Sequence, residues 1–145
     1  MAAHYLWTMT RPTSAHSPDI AASSLGAFSI SLPVEDLPTS KAFYERLGFT
    51  ATGGDDESWT ILMNGPVIIG LFQGMFDKPM LTFNPGWAND TSELDAFTDV
   101  RVIKDQLVAA GVTVESDTTG DSENGPASFA VFDPDGNPIL IDQHR

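Results

Sequence analysis

The sequence predicts a single α+β domain in which one order of strands and helix occurs twice. Three observations predict this class: a strand with alternating apolar and polar residues, two amphipathic helical segments that each follow a strand, and short identities 63 residues apart. The length of 145 residues suits one hydrophobic core. A hydrophobic content of 41% lies above that of chains that stay unfolded, so we expect a globular protein.

The first element is a strand over residues 28–34. The apolar residues of this segment are Ile30, Leu32 and Val34, and the alternate residues are Ser29, Ser31 and Pro33. Because successive side chains of a strand lie on opposite faces, this pattern predicts a half-buried strand.

The segment DLPTSKAFYERLGF then predicts a helix of about ten residues. Pro38 suits a first helical turn, and Phe43 and Leu47 share one face at a spacing of four. Gly48 stands where a left-handed C-cap is favoured.

Two apolar runs complete the first half of the chain, at residues 59–63 and 67–72. The residues Asn64-Gly65-Pro66 between them are typical of a tight turn, so the two runs predict a hairpin. A further short strand is expected near Thr50.

The second half repeats this order. Residues 80–83 predict a strand, and a polar insertion follows. The next helix is predicted by apolar residues at helical spacing ahead of Gly111, namely Val100, Ile103, Leu107 and Ala110. Residues 129–132 and 139–141 predict two strands joined by the turn sequence DPDGNP.

The two predicted helices have matching ends. Asp36-Leu37 and Gly48-Phe49-Thr50 recur 63 residues later as Asp99-Val100 and Gly111-Val112-Thr113. Since the same elements surround both copies, we infer an internal duplication. Two sheets that curl around a shared cleft are the architecture that we expect from it.

Residues 1–26 lack strand or helix periodicity and are rich in Ala, Ser, Thr and Pro, so they predict a flexible N-terminal tail. We expect the domain to occupy residues 27–145, with a first module at about 27–76 and a second at about 78–145. The tail has no signal-peptide pattern, and a cytoplasmic location is expected. Its Tyr5 and Trp7 are candidates for docking on a partner chain.

The charge of the chain narrows the class of partner. It carries 7 Lys and Arg against 20 Asp and Glu, a formal net charge of −13. Such a charge repels phosphate backbones and anionic membranes, so neither nucleic acid nor membrane is expected to bind. It favours a cationic or neutral small molecule, or serves only to keep an acidic protein soluble. With no cysteine, the chain has no thiol nucleophile or thiolate metal site.

The segments SLPVEDLPTSKAFYERLGF and DPDGN resemble the opening and the close of a single-domain member of the vicinal oxygen chelate superfamily, which includes glyoxalase I, bleomycin-resistance proteins and extradiol dioxygenases. The resemblance spans about residues 27–143. It implies two βαβββ modules that form a curled mixed sheet around a cleft, as in the glyoxalase-like fold. It also implies a homodimer, and a divalent metal held by two His, Glu or Gln residues of each module.

The four positions that the resemblance assigns to metal ligands fall on Ser29, Gly70, Met80 and Leu140. A divalent cation needs carboxylate or imidazole ligands, which these residues do not supply. The histidines are His4, His16 and His144, all outside the body of the domain. We therefore expect no metal ligands of the family type and no cofactor.

Candidate ligand-binding residues follow from the strand period and the strand ends. The central strands are expected to present Ser29, Ser31, Met80, Thr82 and Leu140 to the cleft, and the strand ends and the following loop add Phe72, Gln73, Asn84 and Trp87. Phe72 and its neighbour Met75 are equally consistent with a core or a dimer interface.

Asp142 and His144 are the candidate catalytic residues, because they lie two residues apart on one strand face. Together they could exchange a proton with a substrate or hold a displaced metal. The alternative interpretation is a frayed chain end with a solvated His144.

The sequence therefore predicts a protein that binds a small molecule in a cleft without the usual metal of the family. The alternative is a lyase, isomerase or dioxygenase of the same superfamily with an atypical or displaced metal site. No glycine-rich phosphate loop and no Gly-x-Ser-x-Gly elbow occurs, so neither nucleotide binding nor serine hydrolysis is expected.

Overall fold

The structure, a computed structural model, describes residues 24–145. The predicted tail, with Tyr5, Trp7, His4 and His16, lies outside these residues except for its last three positions. Within the described part of the chain, no helix has the length and apolar content that are needed to cross a bilayer.

Seven strands form one sheet with the order β2-β3-β4-β1-β5-β7-β6. The first module contains β1 (Ala27–Val34), α1 (Leu37–Arg46), β2 (Thr50–Gly54), β3 (Trp59–Asn64) and β4 (Val67–Gln73), and the second contains β5 (Met80–Asn84), α2 (Val100–Ala109), a short 3-10 helix (Thr119–Asp121), β6 (Ala127–Phe132) and β7 (Pro138–Gln143). The mixed α+β fold with a repeated module is thus confirmed.

The two modules meet at the antiparallel pair of β1 and β5. Ile30 is paired with Leu81 there, β4 lies parallel to β1, and β7 lies parallel to β5. Ser31 is paired with Gly70 in one module, and Thr82 is paired with Leu140 in the other. A residue of β4 and the residue 70 positions later in β7 are therefore structurally equivalent.

Each helix packs on its own half of the sheet. The core beneath α1 consists of Leu37, Leu62, Ile69 and Leu71. The core beneath α2 consists of Val100, Ile103, Ala127, Phe129, Val131 and Ile141. The face that Phe43 and Leu47 share turns outward, since these side chains are 51% and 58% exposed, and Tyr44 packs inward in their place. Both helices lie on the same face of the sheet, which leaves the opposite face free for a cavity.

Packing begins slightly before the expected boundary at residue 27. Leu25 packs against the core of the second module. Gly26 has a φ of 86°, and a Cβ atom there would lie 2.0 Å from the carbonyl oxygen of Asn84, so this close approach requires glycine.

The second module departs from the first at its edge. The strand equivalent to β2 is reduced to a single β-bridge between Glu115 and Ala130. Ser116 has a φ of 50°, and the following residues are rich in Asp, Ser, Gly and Asn, which favour turns. An ion pair between Lys104 and Asp117 holds this segment against α2. The chain therefore leaves the sheet edge after one bridge.

Candidate functional site

A cavity of about 760 Å³ lies on the face of the sheet that the helices leave free. Both modules contribute to its lining, and the central strands β1 and β5 form its floor. At the junction of the modules, the buried hydroxyl oxygens of Ser31 and Thr82 lie 2.8 Å apart and are hydrogen-bonded. The cavity thus spans the boundary between the two repeats.

The structure places most of the predicted site residues together. The cavity lining includes Ser29, Ser31, Phe72, Met80, Thr82, Asn84, Trp87 and Leu140, together with Asp142 and His144. Met75, whose role was left open, also lines the cavity and is 52% exposed.

The placement of Gln73 in the cleft is wrong. Its Oε1 accepts a hydrogen bond of 2.7 Å from the backbone N–H of Leu37 at the start of α1. Gln73 follows Phe72 directly, and adjacent residues of a strand face opposite sides. Since Phe72 faces the cavity, Gln73 faces the helix.

The first module supplies an apolar wall with stacked aromatic rings. Trp59 and Phe72 are parallel, with ring centroids 6.2 Å apart, and Phe76 lies 5.3 Å from Phe72. The same wall contains Ile61, Met63, Ile68 and Met75. Sequence reasoning missed Trp59, Ile61 and Met63. The period of two in β3 was the signal, because these residues alternate with the buried Thr60 and Leu62.

The second module supplies a more polar wall. The rings of Trp87 and His144 are parallel within 2°, with centroids 4.9 Å apart. Asn84 donates a hydrogen bond of 2.9 Å from Nδ2 to the backbone oxygen of Asp142. A tight turn from Asn84 to Trp87, in which Gly86 has a φ of 96°, brings the indole to this position.

Asp142 and His144 form the ionisable pair of the cavity. His144 Nε2 lies 3.1 Å from Asp142 Oδ2, and the two side chains are 46% and 32% exposed. The hydrogen bond that His144 Nε2 donates to the Asp142 carboxylate raises the pKa of His144 above its ordinary value.

The chain end is held against the domain rather than frayed, while the His144 side chain stays 46% exposed. The Arg145 guanidinium donates hydrogen bonds of 3.2 and 2.7 Å to the carbonyl oxygens of Gly86 and Leu94. It also lies over the Phe97 ring, 5.1 Å from the centroid. The residues around His144 are therefore held against the loop that carries Trp87.

Two equivalent glutamines tie the last strand of each module to a helix. Gln143 Oε1 accepts a hydrogen bond of 2.8 Å from the Val100 N–H, as Gln73 does from Leu37. The Nε2 of Gln143 also donates to Asp99 Oδ2, to the Gly125 carbonyl and to the Arg145 carbonyl at 3.0, 3.1 and 2.8 Å. This network fixes the end of β7 next to the ionisable pair.

The metal positions of the family do not fit a divalent cation in this chain. A Cβ atom added to Gly70 would lie 2.6 Å from Cε2 of Phe72, so the phenyl ring fills the space that a ligand side chain needs. Met80 and Leu140 carry no hard donor atom, and Ser29 supplies only a hydroxyl. Among residues 24–145, no group of three or more His, Cys, Asp or Glu side chains is arranged to hold a metal.

Comparisons with known proteins agree with this fold. A family model, Glyoxalase/Bleomycin resistance protein/Dioxygenase superfamily, matches residues 26–141. No curated protein matches the chain. Three solved structures that share 16% identity with the chain are similar to it. An NAD-dependent benzaldehyde dehydrogenase from Legionella pneumophila has a TM-score of 0.60, with 81% of this chain and 99% of that chain covered.

A glyoxalase/bleomycin resistance protein/dioxygenase superfamily member from Vibrio splendidus 12B01 has a TM-score of 0.53, with 80% of this chain and 97% of that chain covered. A catechol 2,3-dioxygenase has a TM-score of 0.57, with coverages of 85% and 42%. At such identities these structures support the fold alone. The family model covers most of the chain, and the protein therefore belongs to the glyoxalase/bleomycin resistance protein/dioxygenase superfamily.

Proposed function

We propose that the protein binds a planar, largely apolar small molecule, neutral or cationic, in the cavity between its two modules and without a divalent metal. One observation carries the proposal: a cavity of about 760 Å³ has an aromatic and methionine-rich wall on one side and the Trp87–His144 stack on the other. Apolar walls with a few polar groups are typical of small-molecule sites. Parallel rings at both sides favour a flat ligand, which can stack on them.

The charge of the site supports a neutral or cationic ligand. Asp142 is the carboxylate of the described lining, and the whole chain has a net charge of −13. An anionic ligand would be repelled by both. Ser31, Thr82 and Asn84 add polar atoms that can orient a ligand on the floor of the cavity.

Titration of the full chain with planar compounds tests this function. The panel contains a neutral naphthalene derivative, its trimethylammonium analogue and its carboxylate analogue, and binding is followed by calorimetry and tryptophan fluorescence. We expect saturable binding of the first two and weaker binding of the carboxylate. Phe76→Ala, in the apolar wall, should weaken binding by about tenfold through the loss of aromatic contact.

Phe43→Ala is the matched control. It removes a phenyl ring that is 51% exposed on α1, away from the cavity. Its affinity should stay within about twofold of the unmodified protein. A panel without saturable binding, or equal losses in both variants, would contradict the proposal.

The metal-dependent alternative has little support. Asp142 and His144 supply one carboxylate and one imidazole, and the described part of the chain brings no third acidic or imidazole ligand to them. A lyase, isomerase or dioxygenase with a displaced metal would require such a ligand. Elemental analysis after incubation with Ni²⁺, Mn²⁺, Fe²⁺ or Zn²⁺ tests it, and about one metal per chain that is lost in Asp142→Asn would favour this alternative.

We also propose that the protein is a cytoplasmic homodimer, as the superfamily resemblance implies. Met75, at the edge of the cavity lining, is 52% exposed and would be covered by a second copy. Light scattering of the purified chain tests the dimer, since a monomer at micromolar concentration would contradict it.

A further inference from the structure

We propose that Asp142 and His144 form a metal-independent proton-transfer site, in which His144 Nδ1 removes a proton from a bound neutral ligand. The proposal rests on the ligand binding described above and adds a reaction to it. The fitting substrate is a planar compound with an acidic C–H or O–H group, and the fitting reaction is an isomerisation or an elimination.

The hydrogen bond of the pair selects the reactive nitrogen. His144 Nε2 lies 3.1 Å from Asp142 Oδ2, so Nε2 carries the proton that the carboxylate accepts. In the neutral imidazole, Nδ1 is then the nitrogen with a free lone pair. Nδ1 has no hydrogen-bond partner in the described part of the chain, and His144 lines the cavity. It is thus available to a ligand.

The surroundings of the pair hold the imidazole in one orientation. Trp87 stacks on it with an interplanar angle of 2°, and Asn84 holds the backbone of Asp142. Arg145 fixes the loop of Trp87 through the carbonyl oxygens of Gly86 and Leu94. A base that is already oriented loses less entropy when it reaches the transition state.

The proton balance of the step is closed without a further reagent. The C–H or O–H bond of the ligand breaks, an N–H bond forms at Nδ1, and the imidazolium is stabilised by the Asp142 carboxylate. In an isomerisation the same proton is returned to another atom of the ligand. In an elimination the electron pair expels a leaving group within the ligand, and the imidazolium then gives its proton to that group or to water, which restores the neutral base. His144 is the catalytic residue, and Asp142 is the positioning residue.

Among residues 24–145, few other charges act on the imidazole. From the loop after β5, Glu93 forms a β-bridge with Trp87, but its side chain is 69% exposed and lies 3.8 Å from the Arg145 guanidinium. Asp142 is therefore the charged group in direct contact with His144, and it raises the pKa of the imidazole. A more basic imidazole is a stronger proton acceptor once it is neutral.

The test uses 5-nitrobenzisoxazole, a neutral planar compound that reports a positioned base in an apolar site. Removal of its ring C–H proton breaks the N–O bond and releases a coloured cyanonitrophenolate. We expect the full chain to exceed an equal concentration of free imidazole by about 10²-fold or more, and His144→Gln to lose most of this activity. The rate should rise with pH as His144 becomes neutral. Asp142→Asn should lower both the rate and the pH midpoint of the profile.

Binding is measured in parallel with 6-nitrobenzotriazole, a flat analogue without the N–O bond. If His144→Gln binds this analogue within about tenfold of the unmodified protein and has lost turnover, the base assignment is supported. Restoration of turnover in His144→Ala by added imidazole would support it further. Binding without turnover above free imidazole, or turnover that survives His144→Gln, overturns the base assignment and leaves the binding function intact. No binding of either compound overturns both.

Discussion

The two modules have the same order of strands and helix, yet equivalent positions are apolar in one module and ionisable in the other. Phe72 in β4 is equivalent to Asp142 in β7, and Gly74 is equivalent to His144. The first module therefore presents a stacked phenyl ring where the second presents a carboxylate–imidazole pair. The repeated order of elements gives two similar walls, and the residues on them divide the cavity into an apolar side and an ionisable side.

The two walls also differ in the hydrogen bonds that hold them, and the ionisable wall has more of these bonds. The side chain of Gln73 makes one hydrogen bond, to the helix of its module, whereas the side chain of Gln143, which is 1% exposed, makes four. The Arg101 guanidinium also bonds to Asp99 and extends this second network to the carbonyl oxygens of Ser122, Asn124 and Gly125. A carboxylate–imidazole pair must be held in one orientation to transfer a proton, whereas an apolar wall only needs close packing of its side chains.

The largest effect should come from breaking the second network. Gln143→Leu leaves the buried Val100 N–H and three acceptors without their partner, and we expect a loss of about 3 kcal/mol in the free energy of unfolding. Gln73→Leu removes one bond and should cost about 1 kcal/mol. Urea denaturation of both variants measures the two losses. Equal losses would mean that the two networks contribute equally to the free energy of unfolding. The modules would then differ in the number of their hydrogen bonds but not in the stability that these bonds provide.

A smaller effect is expected at Gly70, where the first module excludes a side chain. In Gly70→Ala, the new methyl group would lie 2.6 Å from Phe72 Cε2, so the ring must leave its stack on Trp59. We expect a loss of about 1–2 kcal/mol in stability and weaker binding of planar ligands. Calorimetry and urea denaturation measure these two effects.

Gly53→Ala is the matched control for this variant. Gly53 also lines the cavity, but a Cβ atom there would lie 3.9 Å from the nearest side-chain atom, which is an ordinary contact. Its stability and affinity should stay close to those of the unmodified protein. If Gly70→Ala has the same stability and affinity as Gly53→Ala, the Phe72 ring moves at no cost and is not fixed by its stack on Trp59.

The fold could be predicted from the sequence because it depends on local patterns. The alternation in β1, the helix ends at Asp36 and Gly48, and the DPDGNP turn each specify their own backbone. The same period of two also predicted which strand residues face the cavity, and these include Asp142 and His144.

The rest of the site could not be predicted because it depends on contacts distant in sequence. The period of two in β4 was enough to exclude Gln73 from the cavity face of Phe72, but its hydrogen-bond partner, the first N–H of α1, lies 36 residues away and could not be predicted. The clamp of Arg145 on Gly86 and Leu94 joins residues more than 50 positions apart, and nothing local indicates it. Residue types could suggest which groups lie in the cavity, but not what holds them there.

A still smaller effect distinguishes the carboxylates of the outer loops. In the second module, the Lys104 ammonium, together with the hydroxyl and N–H of Thr119, lowers the pKa of Asp117 to about 2. In the first module, the pKa of Asp55 is held well below its usual range by the Ser58 hydroxyl and by the backbone N–H groups of residues 57–59. One carboxylate is thus held partly by a cation and the other by hydrogen bonds alone.

Lys104→Met and added salt test this difference. Both should raise the pKa of Asp117 toward that of free aspartate and leave the pKa of Asp55 unchanged, because salt screens charges more than hydrogen bonds. A lowered pKa stabilises the fold above the pKa of the unfolded chain, so the contribution of Asp117 is lost as pH falls from about 4 to about 2. Carboxyl NMR titration measures both groups, and a parallel response of Asp55 would show that its pKa also depends on a cation.

The smallest effect on stability should come from the ionisable pair itself. The raised pKa of His144 means that its interaction with Asp142 stabilises the fold fully below the pKa of the unfolded histidine, and that this contribution is lost as pH rises through the higher pKa of the folded state. Because both side chains are partly exposed, solvent screening leaves only a few tenths of a kcal/mol. The melting temperature of Asp142→Asn should therefore fall below that of the unmodified protein at acidic pH and approach it at alkaline pH. If the difference in melting temperature is constant with pH, Asp142 stabilises the fold through its contacts rather than through its charge. Asp142 would then contribute packing to its wall, as the equivalent Phe72 does on the other wall.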